Sequence, residues 1–218
     1  MRRMLFEKTG RAIWMSHLDT MRLMQRAFRR AGVVLHHSQG YTPHAYVSMI
    51  LPLSVGTESI CEIMEYELDA DIRIMPEDMN AVLPEGVRVR EVYESDRKAK
   101  FLTFLDVELT LEYNSETEPD TAEKINALFH GTDLIVEKRT KRGMEETDIL
   151  PMIHQLSVSG QGRELKLNAR ISAQNPSLNP SLLMAAIERY LPQCRPDFVR
   201  YRRMEVFDEN GVVFRLGE

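Results

Sequence analysis

The stretch Ser16–Gly32, SHLDTMRLMQRAFRRAG, decides how this chain is parsed. Ser16 with Asp19 three positions later sets up a reciprocal cap: the serine side chain accepts from the Asp19 amide, and aspartate stands where glutamate is usual. Gly32 supplies the stop, because glycine accepts the left-handed backbone that closes a helix. At 100° per residue, Met21, Met24, Ala27, Phe28 and Ala31 gather on one side and Arg22, Arg26, Arg29 and Arg30 on the other. A helix running to Arg30 or Ala31 therefore has a core side and a cationic side. The same geometry puts His17 on the core side, either as a buried, hydrogen-bonded residue or at a pocket beside the helix N-terminus, where free amides favour an anion.

Outward from this helix, Arg3 to Lys8 and Arg11 to Met15 read as extended runs around Thr9-Gly10. After it, Ala45 to Leu51 and Ile60 to Leu68 are extended, Pro76 opens a short helix with Glu77 and Asp78 in its first turn, and Val87 to Tyr93 alternates as a strand. That order, β-α-β-β-α-β, is the ferredoxin-like pattern. The charged run Glu94 to Lys100 marks a boundary, giving lobes 1–97 and 98–218. A similar order follows. Phe101 to Tyr113 is a strand and Pro119 to Phe129 a helix; Leu134 to Arg139, Ile149 to Val158 and Glu164 to Ile171 are extended. A helix capped by Asn179 with Pro180 first runs to Tyr190, and Val199 to Phe207 pairs with Val212 to Leu216 across Glu209-Asn210-Gly211. The expected class is α+β: two ferredoxin-like lobes, each an antiparallel sheet with helices on one face.

With 218 residues, each lobe can bury most of its apolar surface. Cys61 and Cys194 form no C-x-x-C pair, and MRRMLFEKTG offers no apolar leader, so a reducing, cytoplasmic setting is expected. The longest uncharged apolar run, Ala45 to Val55, falls short of the roughly 20 residues of a membrane span. The net charge of -5 hides a segregation: residues 1–60 carry +5 and the remainder -10. A local positive field attracts phosphates or acidic partners. Four arginines without a lysine on one helix face suit bidentate recognition of phosphate or carboxylate, since guanidinium offers a planar fork. Other basic spots are Lys138, Arg139, Lys141 and Arg142 in a loop, and Arg195, Arg200, Arg202 and Arg203 near the last strand.

Four of the six histidines fall between positions 17 and 44, and His36, His37 and His44 bracket the turn SQGYTP. Neighbouring His36 and His37 point to opposite faces of a strand and no helical H-x-x-x-H pair exists, which argues against a metal. Histidine titrates near neutral pH, so acid-base work by His17, His36, His37 or His44, with Glu62 as a pocket acid, stays open. Alternation from His44 puts His44, Tyr46 and Ser48 on one face, a composition that suits base stacking, a polar pocket or an ordinary sheet. Ser38, Gly40, Tyr41 and His44 form a candidate binding loop beside the arginines.

Ser16-His17-Leu18-Asp19, the basic end Arg26 to Gly32, Ser38 through His44, and Leu51 through Ser59 resemble the bacterial radical-SAM-linked protein family, as more loosely do Thr147 to Pro151 and the helix opened by Pro180. The resemblance implies an accessory role beside a radical SAM enzyme, and it brings no catalytic residue. This chain has no C-x-x-x-C-x-x-C motif, so no cofactor is expected on it and any radical chemistry belongs to a partner. The expected function is an accessory protein that binds RNA or another phosphate-bearing substrate through the basic helix. The rival expectation is a metal-independent RNA-processing enzyme or a small-molecule transferase using the N-terminal histidines.

Overall fold

The computed structural model describes residues 1–140 and 143–216. The chain divides into two units, Met1–Phe101 with Val213–Glu218, and Leu102–Val212. In the first unit β1 (Arg2–Lys8) is followed by α1 (His17–Arg30), β2 (Val47–Met49), β3 (Thr57–Tyr66), α2 (Pro76–Asn80) and β4 (Val87–Glu94). The strands lie in the order β4-β1-β3-β2, with each of these pairs antiparallel. Strand alternation sends Met4 and Phe6 of β1, Met64 and Tyr66 of β3, and Val87 and Val89 of β4 into one core. Met24, Ala27 and Phe28 of α1 and Met79 of α2 belong to that core, and the Phe28 and Tyr66 ring centroids are 5.0 Å apart. Full burial of a side chain such as Phe28 stabilises by about 1.5–3 kcal/mol. The Asn80 side chain binds both backbone groups of Val89, at 2.8 and 2.9 Å, which ties α2 to β4.

Two local expectations for this unit are corrected. Residues Gly10–Trp14 form a 3₁₀ turn instead of a strand, because Gly10 takes φ +55° and the Ala12 amide closes on the Thr9 carbonyl at 3.1 Å. The extended run from Ala45 narrows to the three residues of β2.

The second unit contains β5 (Leu102–Glu112), α3 (Thr121–Leu128), β6 (Ile135–Thr140), β7 (Gly143–Asp148), β8 (Ile153–Gln161), β9 (Glu164–Ser172), α4 (Ser181–Tyr190) and β10 (Phe198–Asp208). Its strands lie in the order β10-β5-β9-β8, and β6 and β7 form a separate hairpin. Leu109 and Leu111 of β5, Leu165 and Leu167 of β9, Ile125 of α3, and Leu183 and Ile187 of α4 are buried. The Asn126 side chain binds both backbone groups of Val158, as Asn80 does those of Val89. Asn179 Oδ1 accepts the Ser181 amide at 3.0 Å, while α4 begins at Ser181 with Pro180, and not the expected Asn179, in the capping position. Both cysteines are buried and neither forms a disulfide, and burial pushes the Cys194 thiol above its usual range.

Of the expected terminal hairpin only the turn forms, with the Asp208 amide donating to the Val212 carbonyl at 3.0 Å and no returning strand among the described residues. The Asp208 carboxylate accepts the amides of Asn210 at 2.9 Å and Val212 at 2.8 Å, and the chain from Val213 belongs to the first unit. There Phe214 is buried beneath two guanidiniums, with Arg3 5.3 Å and Arg97 5.0 Å from its ring centroid. An aromatic anchor seated against two cations outweighs a few strand hydrogen bonds. The protein is an α+β protein built on antiparallel strand pairing, with four α-helices among the described residues, none long and apolar enough to cross a membrane.

Candidate functional site

The geometry of α1 starts from its cap. Ser16 Oγ accepts the Asp19 amide at 3.2 Å and its hydroxyl donates to Asp19 Oδ2 at 2.7 Å. That hydroxyl bond, with Arg22 3.5 Å away, holds the Asp19 carboxyl below its usual value. Both residues thus have a structural task. The helix turns Thr20, Met24, Ala27 and Phe28 inward and leaves Arg22, Arg26, Arg29 and Arg30 exposed. Among the described residues, Arg26, Arg29 and Arg30 have no carboxylate partner.

The other basic spots behave differently. Arg195 pairs with Glu188 at 2.9 Å, Arg200 with Glu112 at 2.5 Å, and Lys138 Nζ donates to the Ser177 carbonyl at 3.1 Å. Arg203 is buried and Arg202 half-buried, while Lys141 and Arg142 lie outside the described residues. Neutralised or buried cations offer little to an anion; among the described residues of these basic segments, the α1 face keeps an open cationic surface.

His17 is exposed, against the expectation of a core-side residue. Its angle around the helix is right, but it occupies the first helical residue, and burial begins only at Thr20. Glu62, the candidate pocket acid, is buried in β3, across from Phe6 of β1.

The histidine segment folds into a small extended ribbon. Leu35 bridges to Leu68 and His37 to Ala45; the His36 amide donates to Glu67 and the Tyr46 amide to His36. Ser38 closes the turn: its amide donates to the His44 carbonyl at 2.9 Å and its Oγ accepts the His44 amide at 3.0 Å. Gly40 sits at φ +141°, a conformation that L side chains rarely adopt, and Tyr41 is fully exposed at the tip. His36 Nδ1 lies 2.7 Å from Asp69 Oδ1, and its ring stacks on Tyr46 with centroids 5.3 Å apart. His37 instead binds the Leu35 carbonyl through Nδ1 at 2.8 Å. The two neighbours take separate partners, as alternation requires.

What the ribbon gathers is a cleft of about 280 Å³, whose lining includes Ser38, His44, Tyr46, Ser48, Glu65 and Glu67. The predicted face His44-Tyr46-Ser48 is among them; the acids of β3 and the residues after it were missed. Their period-two spacing, Glu65, Glu67 and Asp69, was the signal available. Glu65 is held by Arg3, whose Nε and Nη2 both reach its Oε1, at 3.0 and 2.6 Å. Among the described residues no three His, Cys, Asp or Glu side chains are grouped as metal ligands.

The fold and this surface define a class: an α+β protein of antiparallel sheets that exposes a cationic helix beside a polar ribbon. The chain belongs to the family described as "Uncharacterized protein conserved in bacteria (DUF2344)", whose model matches residues 2–180. No curated protein matches. Among solved structures it is similar in fold to a chain of the crystal structure of a Cbf5-Nop10-Gar1 complex, with a TM-score of 0.53 and 12% identity over 95% of this chain and 50% of that one. This chain spans about half the length of that structure's chain. A crystal structure of an unknown protein from Galdieria sulphuraria aligns over 93% of this chain and 96% of that one at 11% identity, with a TM-score of 0.23.

Proposed function

We propose that this chain is an accessory protein that engages RNA or another phosphate-bearing ligand through the α1 face and serves a separate radical SAM enzyme in the cytoplasm. One observation carries the binding part: four exposed arginines on one helix, of which Arg26, Arg29 and Arg30 have no acid partner among the described residues. Guanidiniums not already neutralised within the fold are available to phosphate oxygens, and their planar fork favours bidentate contact. The exposed turn Gln39–Pro43, with Tyr41 at its tip, offers an aromatic for stacking on an unpaired base. The partner rests on the sequence resemblance alone. Each unit, with the β6-β7 hairpin set aside, reads as ferredoxin-like: the β-α-β-β-α-β order with strands 4-1-3-2 supports that description.

The test is a triple charge reversal, Arg22→Glu, Arg26→Glu and Arg29→Glu. Salt-sensitive RNA binding is lost while the circular dichroism spectrum and melting curve stay the same. Unchanged RNA binding by the variant, or none by the native chain, overturns the nucleic-acid part. Pull-down from nuclease-treated lysate tests the radical SAM partner separately.

A second reading, an enzyme, is favoured by the His36–Asp69 pair, because a carboxylate on Nδ1 orients the imidazole for proton transfer at Nε2. Loss of an RNA-processing or transfer activity in His36→Gln, with RNA binding intact, would select it.

A further inference from the structure

We infer that the cleft on the ribbon is a binding site for a single unpaired guanine base. Its lining includes no lysine or arginine, and the amino group of Met1 at its rim faces Asp96 at 3.4 Å. The cleft therefore offers a phosphate no lysine or arginine, while its carboxylates ask the ligand for donors. Two carboxylates supply the acceptors. Arg3 is fully buried and takes only Oε1 of Glu65, so Oε2 is fixed in place and unengaged. The Glu67 carboxylate has no partner among the described residues; only the backbone of Glu67 is engaged, with His36 and Tyr46. By alternation these acids point away from the core that Met64 and Tyr66 enter.

The walls are aromatic and mostly carbon. Tyr46 is backed by the His36 ring at 5.3 Å and is 47% exposed, which fixes its plane while leaving surface to stack on. At about 280 Å³ the cleft is just below the ~300–1,000 Å³ usual for ligand sites, a size for a base and not a whole nucleotide. Among nucleobases, guanine alone presents two adjacent donors, N1–H and the exocyclic N2 amine, which a carboxylate accepts together. Adenine and cytosine would set a ring-nitrogen lone pair against the carboxylate, and uracil offers one N–H between two carbonyls. His44 and Ser48, also in the lining, remain for the guanine O6 and N7 acceptors.

The test uses guanosine, which carries no phosphate, so this site and the arginine face fail or stand separately. Titration of the full chain, followed by amide chemical shifts, shows saturable changes at Tyr46 and Glu67. Inosine, which lacks the N2 amine, binds about tenfold more weakly, and adenosine does not compete. The isosteric Glu67→Gln loses about tenfold or more in affinity with an unchanged melting curve, and Tyr46→Ala loses a stacking partner worth roughly five- to a hundredfold. The Arg22→Glu, Arg26→Glu, Arg29→Glu variant binds guanosine as the native chain does. No saturable shift with guanosine, undiminished binding by Glu67→Gln, or equal competition by tetramethylammonium overturns the proposal; the last would mark the cleft as a cation site.

Discussion

Arg3 reaches Glu65 across the β1–β3 pair with Nη2 2.6 Å from Oε1, although Arg3 is fully buried and Glu65 only partly so. The same guanidinium donates to Ser95 Oγ at 2.9 Å and to the Arg97 carbonyl, and lies over the Phe214 ring. One side chain thus links the first strand, the strand carrying the cleft acids, the segment after β4 and the chain end of the first unit. Arg3→Met is expected to cost about 3 kcal/mol, because a buried network loses its common donor. Urea denaturation measures this; a change below 1 kcal/mol would mean the cluster is incidental. Phe214→Ala is expected to cost about 3–5 kcal/mol by the same assay.

Gly86 is fixed by its surroundings as well as by its backbone. It takes φ +87°, its carbonyl accepts the Thr9 amide at 2.8 Å, and a Cβ there would lie 2.5 Å from the Thr9 carbonyl oxygen. Gly86→Ala should therefore destabilise by about 3 kcal/mol, combining unfavourable φ with a backbone clash. Gly162, also at positive φ but with open space around it, should cost about 1 kcal/mol when changed to alanine, which isolates the steric part.

His154 gives a pH dependence with a defined sign. Burial, with the nearby Arg170 charge, lowers its pKa below 6.5, while its Nε2 meets Ser172 Oγ at 2.9 Å and its ring packs edge-on against Phe104 at 4.5 Å. A depressed histidine pKa means that the unfolded chain takes up the proton first. Its share of stability is therefore whole above pH 6.5 and is lost as pH falls from 6.5 through the lower folded value. Denaturant midpoints of the native chain and His154→Gln should converge over that range; a constant difference would exclude this linkage.

Single arginines of α1 should show themselves in salt dependence. For a phosphate contact, Arg26→Ala reduces the slope of log affinity against log salt by about one and weakens RNA binding evenly across sequences. Arg200→Ala, whose cation is already engaged by Glu112 and Glu164, should leave the slope unchanged. Equal slopes for both variants would remove the distinction drawn between paired and unpaired cations.

The amphipathic helix was legible from Ser16 to Gly32 because capping and 3.6-residue periodicity are local: Ser16, Asp19 and the spacing of the arginines dictate it without help from the rest of the chain. The α+β class followed equally from the alternation of strand and helix signals. Local rules failed where a distant group competes. Val212–Leu216 has the pattern of a strand, but Phe214 finds Arg3 and Arg97. His17 has the angle of a core residue, but no packed element covers the first turn of α1. The opening segment therefore determined by itself which side of α1 carries charge. Only the tertiary structure decided that Arg26, Arg29 and Arg30 keep that charge unpaired, that the histidines part to separate partners, and that Glu65 and Glu67 join Tyr46 in a cleft. Pairing across strands depends on register between residues far apart in the chain, which no local pattern encodes.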